Sequence, residues 1–295
     1  MDWTETIKRA VDFMEKNLTE NITPDDISKA VNISPFYLER GFKLMTGFTL
    51  SEYIRCRRLY LSALDILGGK EDKIIDIALK YGYDTPESFT KAFGRFHGTA
   101  PSKIKSDPFS VRPFLPLKIR IEITGGNTMD FIVEKMNGFK IIGYEFTVSS
   151  ETAYSDIPKI WQKICAEKIH PLFSKAPETA EEKAIADNCI GEFGVCVDDI
   201  GGGRFRYFIA GGYRGGEIPD GMSLYEFEDM DWAKFLCKGP LPGALQSVNT
   251  QIFREWLPGN PDYSIACGAN IEWYSKGDGS ASDYESAIWV PVVRK

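Results

Sequence analysis

A short predicted helix, SPFYLERGFKLMTG at residues 34–47, carries side chains that could recognise another molecule. Ser34 is a good N-cap, and Pro35 suits the first helical turn, where its missing N–H has no partner to lose. Leu38 and Phe42, four residues apart, would point inward together. The outward face then combines an apolar ring, a hydrogen-bond acceptor and two cationic donors, on Phe36, Glu39, Arg40 and Lys43.

The same plan recurs in TPESFTKAFGRFHG, at residues 85–98. Each copy is preceded by another helical segment and by a residue, Asn32 or Gly82, that tolerates the left-handed backbone of a tight turn. Helix, tight turn, helix is the helix-turn-helix pattern, and an internal repeat is hard to produce by chance. The sequence therefore predicts two helix-turn-helix units, joined by a long helix near residues 50–67.

The joining helix carries three arginines, Arg55, Arg57 and Arg58, away from its predicted buried side. They form either a solvated face or a surface that lies against the phosphates of a nucleic acid. The nearby helix-turn-helix units favour the second interpretation.

Length and composition indicate an ordinary soluble protein of about two domains, with 295 residues of which 43% are hydrophobic and 26% charged. No apolar run could span a bilayer and no signal peptide is recognisable, so we expect a cytoplasmic protein without a membrane partner. The six cysteines contain no C-x-x-C pair, and only two histidines, His97 and His170, are present. We therefore expect neither a metal nor another cofactor.

The chain changes character near residue 107. We predict a helical domain over residues 1–107, a proline-containing linker over 108–128 and a second domain over 129–295. Residues 1–107 hold sixteen Lys and Arg and sixteen Asp and Glu, so the net charge of −7 belongs to the rest of the chain. The acidic overall composition therefore does not argue against a nucleic-acid partner for the first domain.

With the two repeats, the stretch IALKYGYDTPESFTKAFGRFHGTAPSKIK resembles the DNA-binding domain of the AraC/XylS family of bacterial transcription regulators. The resemblance covers roughly residues 4–106. It lies in the I-A pair, the Gly-aromatic turn, the F-x-x-x-F helix and the closing G-x-x-P, although Ile104 and Lys105 replace the usual tyrosine and arginine. It implies an all-α domain that binds double-stranded DNA in successive major grooves, about 34 Å apart.

By this resemblance, the outward residues of each second helix read bases. Arg40 can bridge O6 and N7 of guanine, Glu39 can accept from N4 of cytosine, and Phe36 can pack on a thymine methyl. The alternative, that Phe36 only packs against a neighbouring helix, stays open. The full predicted DNA-binding set is Phe36, Glu39, Arg40, Lys43, Arg55, Pro86, Glu87, Ser88, Thr90 and Lys91.

From residue 129 the chain runs strand, helix, strand, strand, and then does so again. This order predicts an α+β domain of two strand-helix-strand-strand repeats, with the helices on one face of the sheet. The segments FKIIGYEF, FRYFIAGG, CKGPLPGALQ, EWLP, NIEWY and IWVPV, in this order, resemble the GyrI-like effector-binding domains that are attached to AraC-type and MerR-type DNA-binding domains. The resemblance implies binding of a small, drug-like and often cationic, lipophilic effector.

Glu272, in NIEWY, matches the glutamate that is prominent in the drug-binding members of that group. A buried carboxylate must be paired, protonated or available for a cation. A salt bridge to Arg206 or Arg214 is the alternative. Further candidate effector-binding residues are Tyr274, which shares the strand face of Glu272, Tyr207, which matches a family tyrosine, and the possible wall aromatics Tyr144, Phe146 and Trp289.

Two other tryptophans, Trp161 and Trp256, lie on amphipathic helices and are predicted to pack in a core. The leading hypothesis is a regulator without catalytic residues, in which a small effector changes how the first domain engages DNA or RNA polymerase. The alternatives are a GyrI-like hydrolase, with Glu272 as general base, and a drug-sequestering protein fused to a DNA-binding domain.

Overall fold

The computed structural model describes residues 3–68, 73–119, 129 and 131–295. These residues form two compact units. One unit contains the described residues of 4–32 and 46–123. The other contains those of 1–3, 33–45 and 124–295, so Trp3 and residues 33–45 of the predicted first domain group with the second.

The N-terminal region is helical. Its helices are α1 (Trp3–Lys16), α2 (Pro24–Val31), α3 (Pro35–Thr46), α4 (Leu50–Leu67), α5 (Ile74–Lys80) and α6 (Pro86–His97). Threonines cap three of them: Thr23 and Thr49 form capping boxes at α2 and α4, and the Thr85 side chain accepts from the Ser88 N–H at α6. The predicted turn residues Asn32 and Gly82 have φ of 61° and 78°, the left-handed conformation that a tight turn requires.

In the first unit, α4, α5 and α6 share a core whose buried residues include Leu59, Ile77, Phe89 and Phe93. Arg57 is 4% exposed and pairs with Glu15 at 2.7 Å between Nε and Oε1. The described part of the predicted linker also packs here: the carbonyl of Phe114 accepts from Arg57, and its ring contacts Tyr53. Arg57 is therefore an internal residue of this unit, contrary to its predicted exposure.

Within residues 131–295 the chain forms a nine-stranded antiparallel sheet. Its strands are β1 (Phe131–Met136), β2 (Phe139–Ser149), β3 (Phe193–Gly201), β4 (Arg204–Gly212), β5 (Ser223–Phe227), β6 (Met230–Lys238), β7 (Tyr263–Ile265), β8 (Asn270–Tyr274) and β9 (Glu285–Arg294). The strand order is β1-β6-β9-β8-β3-β4-β2-β5, and β7 pairs with β9. The sequence analysis did not predict β1, β5 and β7 as separate strands.

Helices connect the strands at two places. Between β2 and β3 the chain forms α7 (Ala153–Ile164) and α8 (Ala180–Asp187). A π-helical turn (Cys165–Ile169) and a 3₁₀ turn (His170–Phe173) lie between these two helices. Between β6 and β7 it forms α9 (Gly243–Gln251), which continues through Ile252–Trp256 and Leu257–Gly259. The predictions of a helical N-terminal region and of a C-terminal α+β region are confirmed, and the sheet is antiparallel. No helix in the described ranges is long and apolar enough to cross a membrane.

Candidate functional site

A cavity of about 650 Å³ lies in the second unit, between the sheet and the helices α3, α7 and α9. Much of its wall is aromatic, from Phe36, Trp161, Phe205, Tyr207, Tyr274 and Tyr284. Four charged residues also line it: Glu39, Arg40, Lys43 and Glu272. A concave apolar space with a few convergent polar groups is the usual form of a small-molecule site.

Glu272 lies at the centre of the sheet. Its strand, β8, runs between β3 and β9, where Glu272 is opposite Gly194 and Ile288. Because side chains alternate along a strand, Asn270, Glu272 and Tyr274 share one face. The Glu272 side chain is 16% exposed, and its Oε2 accepts from the Tyr274 hydroxyl at 2.9 Å.

Gly194 provides the space in front of this carboxylate. A Cβ at position 194 would lie 2.5 Å from the Tyr207 hydroxyl oxygen, 3.3 Å from the Trp161 ring and 3.5 Å from Glu272 Oε2. Any side chain here would displace groups that themselves line the cavity.

Two tyrosines and one tryptophan surround the same point. Trp161 donates from Nε1 to the Tyr207 hydroxyl at 2.6 Å, and its ring meets the Tyr274 ring edge-on, with centroids 5.2 Å apart. Burial, followed by the charge of Glu272, raises the pKa of both Tyr207 and Tyr274 well above its usual range. Both hydroxyls therefore stay protonated at neutral pH and can act as donors.

The positive charge nearest to Glu272 among the described side chains comes from α3. Arg40 Nη2 lies 3.5 Å from Glu272 Oε1, and its side chain is 12% exposed. The same guanidinium donates to Asn249 Oδ1 at 2.6 Å and to Asn270 Oδ1 at 3.3 Å. It also lies 5.7 Å from the centroid of the Phe36 ring. The predicted alternative partner of Glu272, Arg206, pairs instead with Glu145 and Asp198.

Further contacts hold α3 against the sheet and α9 in the second unit. The Phe36 and Phe205 rings have centroids 4.8 Å apart, and the Tyr37 hydroxyl donates to the carbonyl of Ala269. Arg254 Nε donates to the Leu44 carbonyl at 2.8 Å. Gly41 of α3 lies close to the rings of Trp3 and Phe253.

Three predicted effector residues, Glu272, Tyr274 and Tyr207, lie together in the cavity wall. Tyr144 instead donates to Glu181 Oε1 at 2.7 Å, and neither it nor Phe146 is among the residues that line the cavity. Trp289 is opposite Ile271, the neighbour of Glu272, and therefore lies on the other sheet face, where Lys234 Nζ is 4.0 Å from its ring centroid.

Trp161 and Asn249 contribute to the cavity although the sequence did not assign them to an effector site. Trp161, expected in a core, lines the cavity, whereas Trp256 is buried as expected and packs on Phe131 and Phe235. Nothing in the sequence marks Asn249 as a binding residue, because a single asparagine on a helix belongs to no recognisable motif. Helical periodicity marks which side of a helix is apolar, but it does not distinguish a filled core from an open cavity.

The predicted DNA-binding residues fall into two groups. On α6, the side chains of Glu87, Ser88, Thr90 and Lys91 are exposed and Pro86 is half-buried, and Arg55 on α4 is exposed. On α3, the expectation that the side chains face solvent was wrong for Phe36 and Glu39, which are 7% and 3% exposed. The residues of β4, β8 and α9 cover that face.

Comparisons with known proteins agree with both halves of the sequence analysis. Residues 27–107 match a family described as a helix-turn-helix domain, and residues 132–292 match one described as integron-associated effector binding protein. The chain belongs to the AraC family of transcription regulators, with an AraC-type helix-turn-helix domain followed by an effector-binding domain of the integron-associated, GyrI-like type.

Two curated relatives illustrate the first match. The Transposon Tn10 TetD protein of Escherichia coli is 37% identical over 99 residues, which are 34% of this chain and 71% of that protein. The Regulatory protein SoxS of Salmonella typhimurium is 33% identical over 102 residues, which are 35% of this chain and 94% of that protein. Across several such relatives the chain spans between 36% and 94% of their length.

Among solved structures, that of SAV2435 bound to tetraphenylphosphonium is similar to 56% of this chain and 94% of its own, with 18% identity and a TM-score of 0.45.

Proposed function

We propose that this AraC-family protein is a ligand-responsive regulator. The helix-turn-helix units bind operator DNA in successive major grooves, and the cavity binds a small, lipophilic cation. Effector binding changes how the protein engages the operator or RNA polymerase. The proposal depends above all on one observation, the Glu272 carboxylate in the aromatic wall of a 650 Å³ cavity.

The chemistry of the cavity supports a cationic effector. Aromatic rings attract a cation through their faces, and a carboxylate with little exposure gains most from a charged partner because water screens it weakly. The Glu272 side chain is 16% exposed and already has a guanidinium beside it. A lipophilic cation would supply the same charge together with apolar surface for the rings.

The exposed face of α6 supports DNA binding. Ser88 and Thr90 offer hydroxyls, Lys91 offers a cation, and all three are accessible. Arg55, on α4, adds a second exposed positive charge. Phosphate contacts by such residues provide most of the affinity of a DNA-binding surface, whereas base edges provide specificity.

The effector half is tested with a permanently charged probe. Tetraphenylphosphonium cannot lose its charge, and tetraphenylborate has nearly the same shape with the opposite sign. In sodium buffer, calorimetry should find that the parent prefers the cation, and that Glu272→Gln loses at least about tenfold in cation affinity, the scale of one charge–charge attraction at a site with little exposure.

Equal cation affinity in the parent and in Glu272→Gln would remove Glu272 as the counter-charge. Chemical turnover of candidate electrophilic esters by the parent, lost in Glu272→Gln, would instead favour the hydrolase alternative. Operator fragments for all later measurements come from selecting host genomic DNA on the parent protein with and without tetraphenylphosphonium, and failure to enrich any fragment under both conditions would contradict the regulator.

A further inference from the structure

The helix that the sequence assigns to base reading lies in the unit that holds the effector cavity. Phe36, Glu39, Arg40 and Lys43 of α3 all line that cavity, and residues 33–45 group with the sheet by their contacts. The corresponding helix α6 groups with the other helices and keeps its polar face exposed. Two helices with the same sequence plan therefore have different surroundings.

We propose that Arg40 is an internal ligand of the effector cavity, and that a cationic effector replaces it at Glu272 and so releases α3 to bind DNA. This regulation rests on the proposed function of the cavity and adds to it. In the docked state, α3 is withheld from the operator. In the effector-bound state, the charge of Glu272 is satisfied by the effector, and Arg40 is available for a base edge.

The coupling follows from charge balance. The Arg40 guanidinium cannot lie 3.5 Å from Glu272 and also bridge a guanine, so the two positions exclude each other. Removing one partner from a buried ion pair leaves the other charge uncompensated, which is costly. Release of Arg40 is therefore disfavoured until another cation takes its place. A ligand shifts such an equilibrium only because it binds the two states differently, and here the difference is competition for one carboxylate.

The geometry of the pair favours exchange. Charge-assisted hydrogen bonds between nitrogen and a carboxylate usually measure about 2.7–2.9 Å. The separation between Arg40 and Glu272 is 3.5 Å, whereas the same guanidinium lies closer, at 2.6 Å, to the neutral amide of Asn249. Glu272 therefore has room for a better-placed cation than the one that α3 supplies.

A glycine in α3 is independent evidence that the docked position is built into the sequence. A Cβ at Gly41 would lie 2.0 Å from Cζ2 of Trp3, the first residue of α1, and 2.9 Å from Cδ1 of Phe253, so a side chain here would have to displace these rings or α3 itself. The equivalent residue of the second repeat is Ala92, on α6, which groups with the other helices. In α6, a different glycine, Gly94, has ordinary space around it, because a Cβ there would lie 3.9 Å from the carbonyl oxygen of Thr99.

A reversible disulfide tests whether α3 must leave the cavity. A Cβ built at Gly268 lies 3.1 Å from the Cβ of Ser34, the N-cap of α3, so a small shift brings this pair into the range of about 3.5–4.5 Å that disulfides need. The protein to use is Ser34→Cys with Gly268→Cys and with the neighbouring Cys267→Ser, which removes a competing thiol.

Oxidised, this protein should bind the operator weakly with or without tetraphenylphosphonium. Reduced, it should regain a response to the cation, within the 5- to 150-fold span that is common for coupled sites. Equal operator affinity of both redox forms in the presence of the cation would overturn the proposal. Failure of the disulfide to form under oxidising conditions would contradict the docked position itself.

A second pair of variants tests the equilibrium between docked and released α3 without DNA. Gly41→Ala should push α3 out of its docked position and raise the affinity for tetraphenylphosphonium, because Arg40 no longer competes. Gly94→Ala, the matched change in α6, should leave that affinity unchanged. A folded Gly41→Ala protein with the affinity of the parent would contradict the proposal. If the parent binds the cation through Glu272 but Gly41→Ala does not alter that binding, the effector site stands and only the role of Arg40 fails.

Discussion

At the scale of the residue, the absence of a side chain at position 194 keeps open the space in front of Glu272. Strand alternation in NIEWY predicts that Glu272 and Tyr274 share a face, and the register with β3 then brings Gly194 directly opposite Glu272. Alternation is a local property, so it can be taken from sequence. The register between β3 and β8 joins segments far apart in the chain, and the sequence alone does not give it.

Gly194→Ala should weaken cation binding without unfolding the sheet. The added methyl would lie 2.5 Å from the hydroxyl of Tyr207, which is buried and held by Trp161, so the ring cannot move aside easily. Overpacking of this kind costs about 1–3 kcal/mol, so we expect the affinity for tetraphenylphosphonium to fall by about tenfold or more in calorimetry.

Gly212→Ala is the matched control, because a Cβ at Gly212 on β4 meets nothing within 4 Å. It should bind the cation as the parent does. A loss of affinity in both variants, or in neither, would mean that the space in front of Glu272 is not where the cation binds.

At the scale of the element, the two repeats separate what sequence can predict from what it cannot. Helix caps, turns and hydrophobic periodicity depend on residues within each repeat, so the sequence predicts them. The predicted turn residues Asn32 and Gly82 have the left-handed backbone that we expected. Which surface covers a helix depends on residues more than two hundred positions away. The one local sign of different surroundings is Gly41 where the second repeat has Ala92.

The exposed face of α6 gives a prediction about DNA that does not involve the cavity. Lys91→Ala should weaken operator binding to a similar degree across operator sequences, and the slope of log K against log salt should fall by about one if Lys91 contacts a phosphate. Fluorescence anisotropy at several salt concentrations measures both quantities.

Lys159→Ala provides the comparison for Lys91→Ala. Lys159 lies on α7, its side chain is 73% exposed, and it pairs with Asp156 at 3.4 Å. This change removes the same charge from a surface with no predicted role in DNA binding and should leave the slope unchanged. An unchanged slope in Lys91→Ala as well would exclude α6 as a phosphate-binding surface at that position.

At the scale of the whole molecule, the sequence predicts both functional halves, because each carries its own ordered motifs. The helical N-terminal region and the antiparallel sheet agree with that division. Motifs of this kind do not predict that residues 33–45 group with the sheet. Family motifs describe each domain in isolation, whereas the position of α3 depends on side chains that both domains contribute, above all Arg40 and Glu272.

Thermodynamic linkage tests the account most directly, because coupling between two binding equilibria is reciprocal. Tetraphenylphosphonium is titrated into the free protein and into its complex with a selected operator fragment, at the same ionic strength. If DNA holds Arg40 away from Glu272, the cation should bind more tightly to the complex, by the same factor by which it tightens operator binding. Equal cation affinity in the free protein and in the complex would contradict the account.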